Sequence, residues 1–547
     1  MVKKIKLIVI GLDGATWDVL YALIEKGYMP TLQKIVENGV SGILKSTIPP
    51  VTGPSWVSFA TGKNPAKTGV FDFFIRDANS YHLKPVSSAQ FRGHSFWDYL
   101  SSLGYRVGVV SFPMLYPPYE IRGFMISGVG APADSNKCSP QDLEKEINEK
   151  IGKYEVSVNY HNPKYNDEEL FLKDLDAFVD KHRRMIKYLL KNKEWDLFVY
   201  VFSATDWIQH LFWKHIDETH PLHDFNRSPM LRKRFVEFFQ EIDSFLGEIL
   251  SLVGSKANMM ILSDHGFGTQ DQCFNLARWL REKGYLRIYS AKRIKMDIKK
   301  HTLKLLTLIN KVLGVKKIFP TKVTEAVTEA LRAEIADIID FSKSKAYCLG
   351  HTIPFGAIYI NLKGRDPQGI VNPEDYDELK TEITNELYKL STEIGEPLKV
   401  KVYDPQKMYN MPKNALAPDI IFTINDWRCV IVEDDFNRPL FEKRPFSKRH
   451  TGAHRLEGIF VAFGPEFEKR KKIGKVRIID IAPTILHMFN TPIPKDVDGR
   501  VLTEIFKPES ESAKRKPKYA DTSFYKTKTL EEWTKAKIEK LKRLGKI

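Results

Sequence analysis

KLIVIGLDG (6–14) decides the fold: an apolar run rich in Ile and Val ends abruptly on a carboxylate, Asp13. Two later segments are built the same way. LFVYVFSAT (197–205) leads into Asp206, and MMILSDHG (259–266) closes on Asp264 and His265. Short, uniformly apolar runs of this kind predict strands buried on both faces of a parallel sheet. In open α/β sheets, chemistry gathers at the carboxyl ends of such strands. Three strands therefore deliver acids and imidazoles to one edge of a sheet.

Outward from these runs, residues 1–285 alternate strand-like and helix-like segments, as in MPTLQKIVENG, SFWDYLSSLG, YRVGVVSFP and FFQEIDSFLGEILSLVG. The alternation predicts an α/β fold, a doubly wound and mostly parallel sheet sandwiched by helices. Strand-like runs resume at FGAIYINL (355–362), LKVKVY (398–403), PDIIFTI (418–424) and EGIFVAFG (457–464), and IIDIAPTILHMF (478–489) reads as a closing helix. The expected organisation is a first core part at 1–286, a basic helical insertion at 287–345, a second core part at 346–510 and a basic tail at 511–547.

Composition narrows the class. With 547 residues, 43% of them hydrophobic, the chain can bury a large core. The apolar run after the first four residues is too short for a signal-peptide core, and no stretch reaches the ~18 apolar residues of a membrane span. Cys138, Cys273, Cys348 and Cys429 are scattered, without a paired spacing, as in reduced proteins. A cytoplasmic location is expected. The net charge of +16 is focused: residues 292–317 carry +8 and the tail from Lys514 carries +8. Between the lysines of the first segment, Ile294, Ile298, Leu305, Ile309 and Val312 recur at helical spacing. That pattern suits either a lid packed on the enzyme or a helix lying on an anionic bilayer. Neither segment interleaves aromatics as a nucleic-acid surface would, so no specific nucleic-acid recognition is expected.

The chemical packets each admit two readings. Asp206 and His210 stand four apart, on one helical face, where they can share an ion or serve as a helix cap beside an incidental histidine. Adjacent Asp264 and His265 at a strand end have no evident packing role. His454, in TGAHRLEG, is by itself an ordinary loop histidine. Thr52 precedes PSWVSFATG, which reads as a helix from Pro54. Its hydroxyl either caps that helix or meets an anion held at the helix N-terminus.

Taken in order, Asp13, Thr52-Gly53-Pro54, Asp206 with His210, Asp264-His265-Gly266 and Gly452-Ala453-His454 resemble the alkaline phosphatase superfamily, nearest its type I phosphodiesterase/nucleotide pyrophosphatase branch. SFWDYLSSLGYRVGVVSFPM (95–114) and YINLKGRDPQGIV (359–371) also resemble the superfamily's uncharacterised phosphohydrolase/phosphomutase-like members. The resemblance implies a phosphoester hydrolase with two divalent ions, Zn²⁺ favoured and Mn²⁺ possible for a mixed His/carboxylate set. By that resemblance Asp206, His210 and His454 bind one ion and Asp13, Asp264 and His265 the other. Thr52 reaches the second ion as the nucleophile and passes through a phospho-threonine intermediate. The branch usually has Asn after the T-x-P proline; here Ser55 or a backbone N–H would have to hold the phosphoryl oxygen. Alternatives on the same core are a phosphomonoesterase, a phosphomutase or a membrane-associated hydrolase of lipid-linked phosphate. A metal-free binding protein would not be expected to retain every ligand. The expected substrate is a phosphorylated small molecule or lipid-linked phosphate, with peripheral anionic-membrane contact through 292–317 and 514–547. Trp56 and Phe71 are candidates to stack on a base or aryl group, or else core residues. Arg365 and Arg449, the latter in EKRPFSKRHTGAH with Arg444, Lys448 and His450, are candidates for further phosphate contacts.

Overall fold

The computed structural model describes residues 5–254, 256–289, 335–349 and 352–525. Most of the expected insertion at 287–345, with the charge run 292–317, lies outside the described residues, as does the tail beyond residue 525. The chain groups into two compact units. One falls within Met1–Phe73, Pro85–Thr269 and Ser447–Ile547, the other within Phe74–Lys84 and Gln270–Phe446.

The first unit is built on a nine-stranded sheet. Its strands are β1 (Leu7–Leu12), β2 (Val40–Lys45), β3 (Val107–Phe112), β4 (Gly123–Ser127), β5 (Cys138–Ser139), β6 (Leu197–Phe202), β7 (Asn258–Leu262), β8 (Glu457–Phe463) and β9 (Lys471–Arg477). Their order is β9-β2-β8-β7-β1-β6-β3-β4-β5. β7, β1, β6, β3 and β4 run parallel as one block. β8 runs against β7 and β2, and β5 runs against β4. Every residue of β1, β3, β6 and β7 is buried, as uninterrupted apolar runs require when helices cover both faces. The main helices are α1 (Thr52–Thr61), α2 (Glu168–Asn192), α3 (Ala204–Ile216), α4 (Ser228–Val253) and α5 (Ile481–Met488). α4 packs on α2 and α3, and α5 packs on α1.

In α1, all ten residues are buried, so the helix has no solvent face on which to display an aromatic. Trp56 is fully buried, edge-on to Phe59 and Phe112. Its indole lies across β1 at Gly11, where a Cβ would come within 2.3 Å of Trp56 Cη2. The helix starts at Thr52, two residues before the Pro54 start read from the sequence. The four cysteines are buried and free.

The second unit has its own apolar core, which includes Trp279, Tyr347, Ile358 and Phe422. Strands Ala346–Tyr347, Gly356–Ile360, Ile420–Ile424 and Val400–Tyr403 form one of its antiparallel sheets. Inside it Arg365 makes a two-pronged pair with Asp419, through Nη1 at 2.8 Å and Nη2 at 2.9 Å. Arg76 pairs with the neighbouring Asp366.

Because Trp56 fills space between α1 and β1, Trp56→Ala should lower unfolding free energy by about 3–5 kcal/mol. A denaturant titration measures this as a fall in the unfolding midpoint.

Candidate active site

Three adjacent strands end at one place. β1 lies between β7 and β6, with Leu12 level with Phe202 and Gly11 level with Leu262. Asp13 therefore leaves the end of β1 beside Phe202, whose carbonyl accepts its backbone N–H at 3.1 Å. After β6 the chain turns directly into α3, putting Asp206 in the first turn and His210 one turn later on the same face. After β7 it passes through Ser263 to Asp264 and His265. The last ligand-type residue arrives from elsewhere: His454 lies on a strand, Gly452–Arg455, that pairs antiparallel with Gly266–Thr269 and sits level with Phe267.

These residues form two buried donor sets, Asp206/His210/His454 and Asp13/Asp264/His265. Within each set the ligand-type atoms lie within 4.8 Å of one another. All three imidazoles are oriented alike. Nδ1 of His210 donates to Gly452 O at 2.8 Å, that of His454 to Pro50 O at 3.1 Å and that of His265 to Gly266 O at 3.0 Å. A carbonyl can only accept, so Nδ1 carries the proton and each Nε2 presents a lone pair inward. The His210 and His454 Nε2 atoms face each other at 3.1 Å. On the other side, His265 Nε2 is 3.4 Å from Asp264 Oδ2 and 3.6 Å from Asp13 Oδ1.

Asp13 Oδ1, Asp206 Oδ1 and Asp264 Oδ2 are buried and have no hydrogen-bond partner among the described residues. Burial, reinforced by Asp264 and Asp206, pushes the Asp13 carboxyl well above its usual range; burial, helped by Asp206, takes Asp264 up to about 7. Burial also opposes ionisation of Asp206, but His210 and His454 hold it well below the usual carboxylate range. Burial, helped by His265, lowers His454 to about 3, and burial, helped by His210, lowers His265. Inward Nε2 atoms and unpartnered carboxylate oxygens within each set fit divalent cations, which would return the acids to their ionised form.

A further layer holds the ligands in place. Gly14 N–H donates to Asp264 Oδ1 at 3.2 Å, Thr205 Oγ1 donates to Asp13 O at 2.6 Å, and Gln209 Nε2 donates to Gly14 O at 2.9 Å. Gly14 has φ +66°, and a Cβ there would lie 3.3 Å from Asp206 Oδ1 and 3.3 Å from His265 Cε1. Tyr160 stacks on His210 with ring centroids 5.1 Å apart. None of these four stood out in the sequence. Gln209 left the only usable trace, a polar residue one turn after Thr205 and Asp206 on a helix that is otherwise largely apolar there.

Thr52 is buried at the first position of α1, and Val51 occupies the N-cap position. Its hydroxyl lies 3.5 Å from His265 Nε2. The capping reading of Thr52 therefore gives way to one in which the hydroxyl faces the donor sets. The sequence candidates for substrate contact are placed differently. Ser55 is fully buried, its Oγ 2.8 Å from Ser46 Oγ and 3.0 Å from Thr47 Oγ1, and Trp56 and Phe71 are buried. Arg365 is engaged inside the second unit. Arg449 remains in the first unit, its Nη1 donating to Asn166 Oδ1 at 3.1 Å.

Residues 7–454 match the sequence model for type I phosphodiesterase / nucleotide pyrophosphatase. The chain belongs to that family. It is a phosphoester hydrolase of the alkaline phosphatase superfamily, and the family is metal-dependent and acts on phosphorylated small molecules such as nucleotides. Among solved structures, phosphonoacetate hydrolase from Sinorhizobium meliloti 1021 with phosphonoformate is similar at 15% identity and TM-score 0.50, over 88% of this chain and 94% of that one. Murine ectonucleotide pyrophosphatase/phosphodiesterase 5, an inactive form with AMP, matches at 13% identity and TM-score 0.45, over 89% of this chain and 96% of that one. No curated protein matches the chain by sequence. The likeness to the hydrolase is one of fold.

A methyl group at Gly14 would press on both donor sets. Gly14→Ala should weaken divalent-metal affinity by about 10-fold or more, the range seen when ligand-orienting groups are disturbed. Titrating Zn²⁺ or Mn²⁺ into chelator-treated protein measures the change.

Proposed function

We propose that this hydrolase cleaves phosphodiester or pyrophosphate bonds with Thr52 as nucleophile at a site for two divalent ions. The observation that carries this reading is the pair of donor sets, with unpartnered carboxylate oxygens and inward Nε2 atoms, facing one buried hydroxyl. Asp206, His210 and His454 would hold one ion and Asp13, Asp264 and His265 the other. Bound there, the ions would supply positive charge that favours the Thr52 alkoxide and neutralises the phosphate and its leaving oxygen. The mixed donor set favours Zn²⁺, with Mn²⁺ the next fit.

The protein's own groups do the rest. Thr52, fixed at the first turn of α1, forms an O–P bond as the bond from phosphorus to the leaving oxygen breaks, and the Thr52 proton passes to that leaving oxygen. Water then attacks the phospho-threonine from the opposite side, and a proton from that water passes to Thr52 as its O–P bond breaks. The buried ring of ligands excludes bulk water, and the Nδ1–carbonyl bonds keep the imidazoles from turning. Ser55 is held by Ser46 and Thr47, so backbone N–H groups at the start of α1 are better disposed to contact a phosphoryl oxygen.

Metal-loaded protein should hold close to two divalent ions per chain, and His454→Ala should empty one site before the other, as measured by elemental analysis. Bis-p-nitrophenyl phosphate should be cleaved faster than p-nitrophenyl phosphate; the reverse order would make the enzyme a monoesterase. Thr52→Ala should lower kcat by several orders of magnitude with metal content retained, and Thr52→Ser should keep activity. Near-normal turnover by Thr52→Ala would overturn the nucleophile assignment.

A further inference from the structure

The face of α3 that carries Asp206 and His210 continues at the same spacing to Lys214, which borders a separate cavity of about 250 Å³. Lys214, Arg227, Lys448 and Arg449 line it, with Glu168 and Asp224 as the acids. Both acids are already engaged. Glu168 lies 2.5 Å from Lys214 Nζ, 3.0 Å from His215 Nε2 and 3.4 Å from Arg227 Nη2, and Asp224 Oδ1 accepts backbone N–H groups of Asn226 and Arg227. Lys448 and Arg449 have no acidic partner among the described residues. The Arg449 Nε atom is buried and makes no hydrogen bond among the described residues, which is costly for a charged donor. Burial alone lowers the Arg449 pKa.

The arginine is tied to the metal-ligand helix. Two residues on, Thr451 donates its backbone N–H to His210 O at 2.8 Å and its Oγ1–H to the same oxygen at 3.0 Å. Between them, the His450 ring lies 4.5 Å from that of His210. Lys214 Nζ donates to Lys448 O at 3.1 Å, closing the segment onto α3. A cationic, under-partnered cavity is thus held about one helical turn beyond a proposed metal ligand.

We propose that this cavity is a second anion subsite, taking a phosphate group that the substrate carries beyond the phosphorus attacked by Thr52. Arg449 supplies the charged fork and Lys448 a second positive charge. This deepens the proposed function and rests on it: the preferred substrates become phosphoanhydrides and diesters with a second phosphate on one arm.

The test compares metal-loaded wild type, Arg449→Met, Arg449→Lys and Lys448→Met on ATP and on bis-p-nitrophenyl phosphate, which has no second phosphate. The ratio of kcat/KM for ATP to that for the diester should fall about tenfold in Arg449→Met, the size of one charge-assisted hydrogen bond. The fall should appear in KM, with partial recovery in Arg449→Lys. Inhibition by ADP should weaken by a similar factor while inhibition by AMP changes less. An unchanged ratio, with both substrates slowed equally or not at all, overturns the subsite. So does inorganic phosphate altering diester turnover in wild type but not in Arg449→Met, which would assign the cavity to a free anion. If Arg449→Met does not fold, Lys448→Met must give the same fall in the ratio. If wild type cleaves neither substrate, the proposed function fails. Calorimetry of ADP against AMP, in wild type and Arg449→Met, then decides the subsite alone: an ADP preference lost in the variant supports it, and equal binding overturns it.

Discussion

Parallel pairing of β7, β1 and β6 is the constraint on which the site depends. Parallel neighbours end on the same side, and here the registers align their ends almost to the residue. Asp13, Asp206 and Asp264 therefore converge without any long loop to place them. Convergence of three acids in a dry environment is costly if they stay charged and unpaired. The raised carboxyls of Asp13 and Asp264 show that cost. A fold that keeps such a cluster stores an affinity for cations.

The surrounding hydrogen bonds direct that affinity. Every site imidazole spends its Nδ1 proton on a backbone carbonyl, so the lone pairs are committed inward before any ligand arrives. One of those carbonyls, Pro50, belongs to an irregular segment, and the other two, Gly266 and Gly452, begin the two short strands that pair with each other. Thr205 and Gln209 bind the backbone of Asp13 and Gly14, so α3 and the end of β1 move as one body. Metal affinity in this site is a property of backbone geometry as much as of the ligands themselves.

The sequence displayed the site where local pattern controls it. Apolar runs ending in Asp13 and in Asp264-His265 announce buried strands, and the four-residue step from Asp206 to His210 announces a helical face. The doubly wound sheet follows from the same alternation. Features set by distant partners stayed hidden. His454 looks like an ordinary loop residue because the strand it pairs with lies far back in the chain. Arg365 reads as a free cation until Asp419 is seen to hold it, and Trp56 as a stacking surface until α1 proves buried on every side. Tyr160 comes from an irregular segment with no periodicity to place it.

The pairing of Gly266–Thr269 with Gly452–Arg455 has a consequence for biosynthesis. A ribosome that has just released β7 has delivered Asp13, Asp206, His210, Asp264 and His265, and the early strands can already associate. The donor set of Asp206 and His210 still lacks His454, and the edge of Gly266–Thr269 still lacks its partner, until the long segment Gln270–Phe446 has been made. Closure of that set is a high-contact-order event and among the last in folding. A nascent chain interrupted before residue 452 has one complete donor set and one that still lacks His454, so cations meet both complete sets only once that histidine has been added.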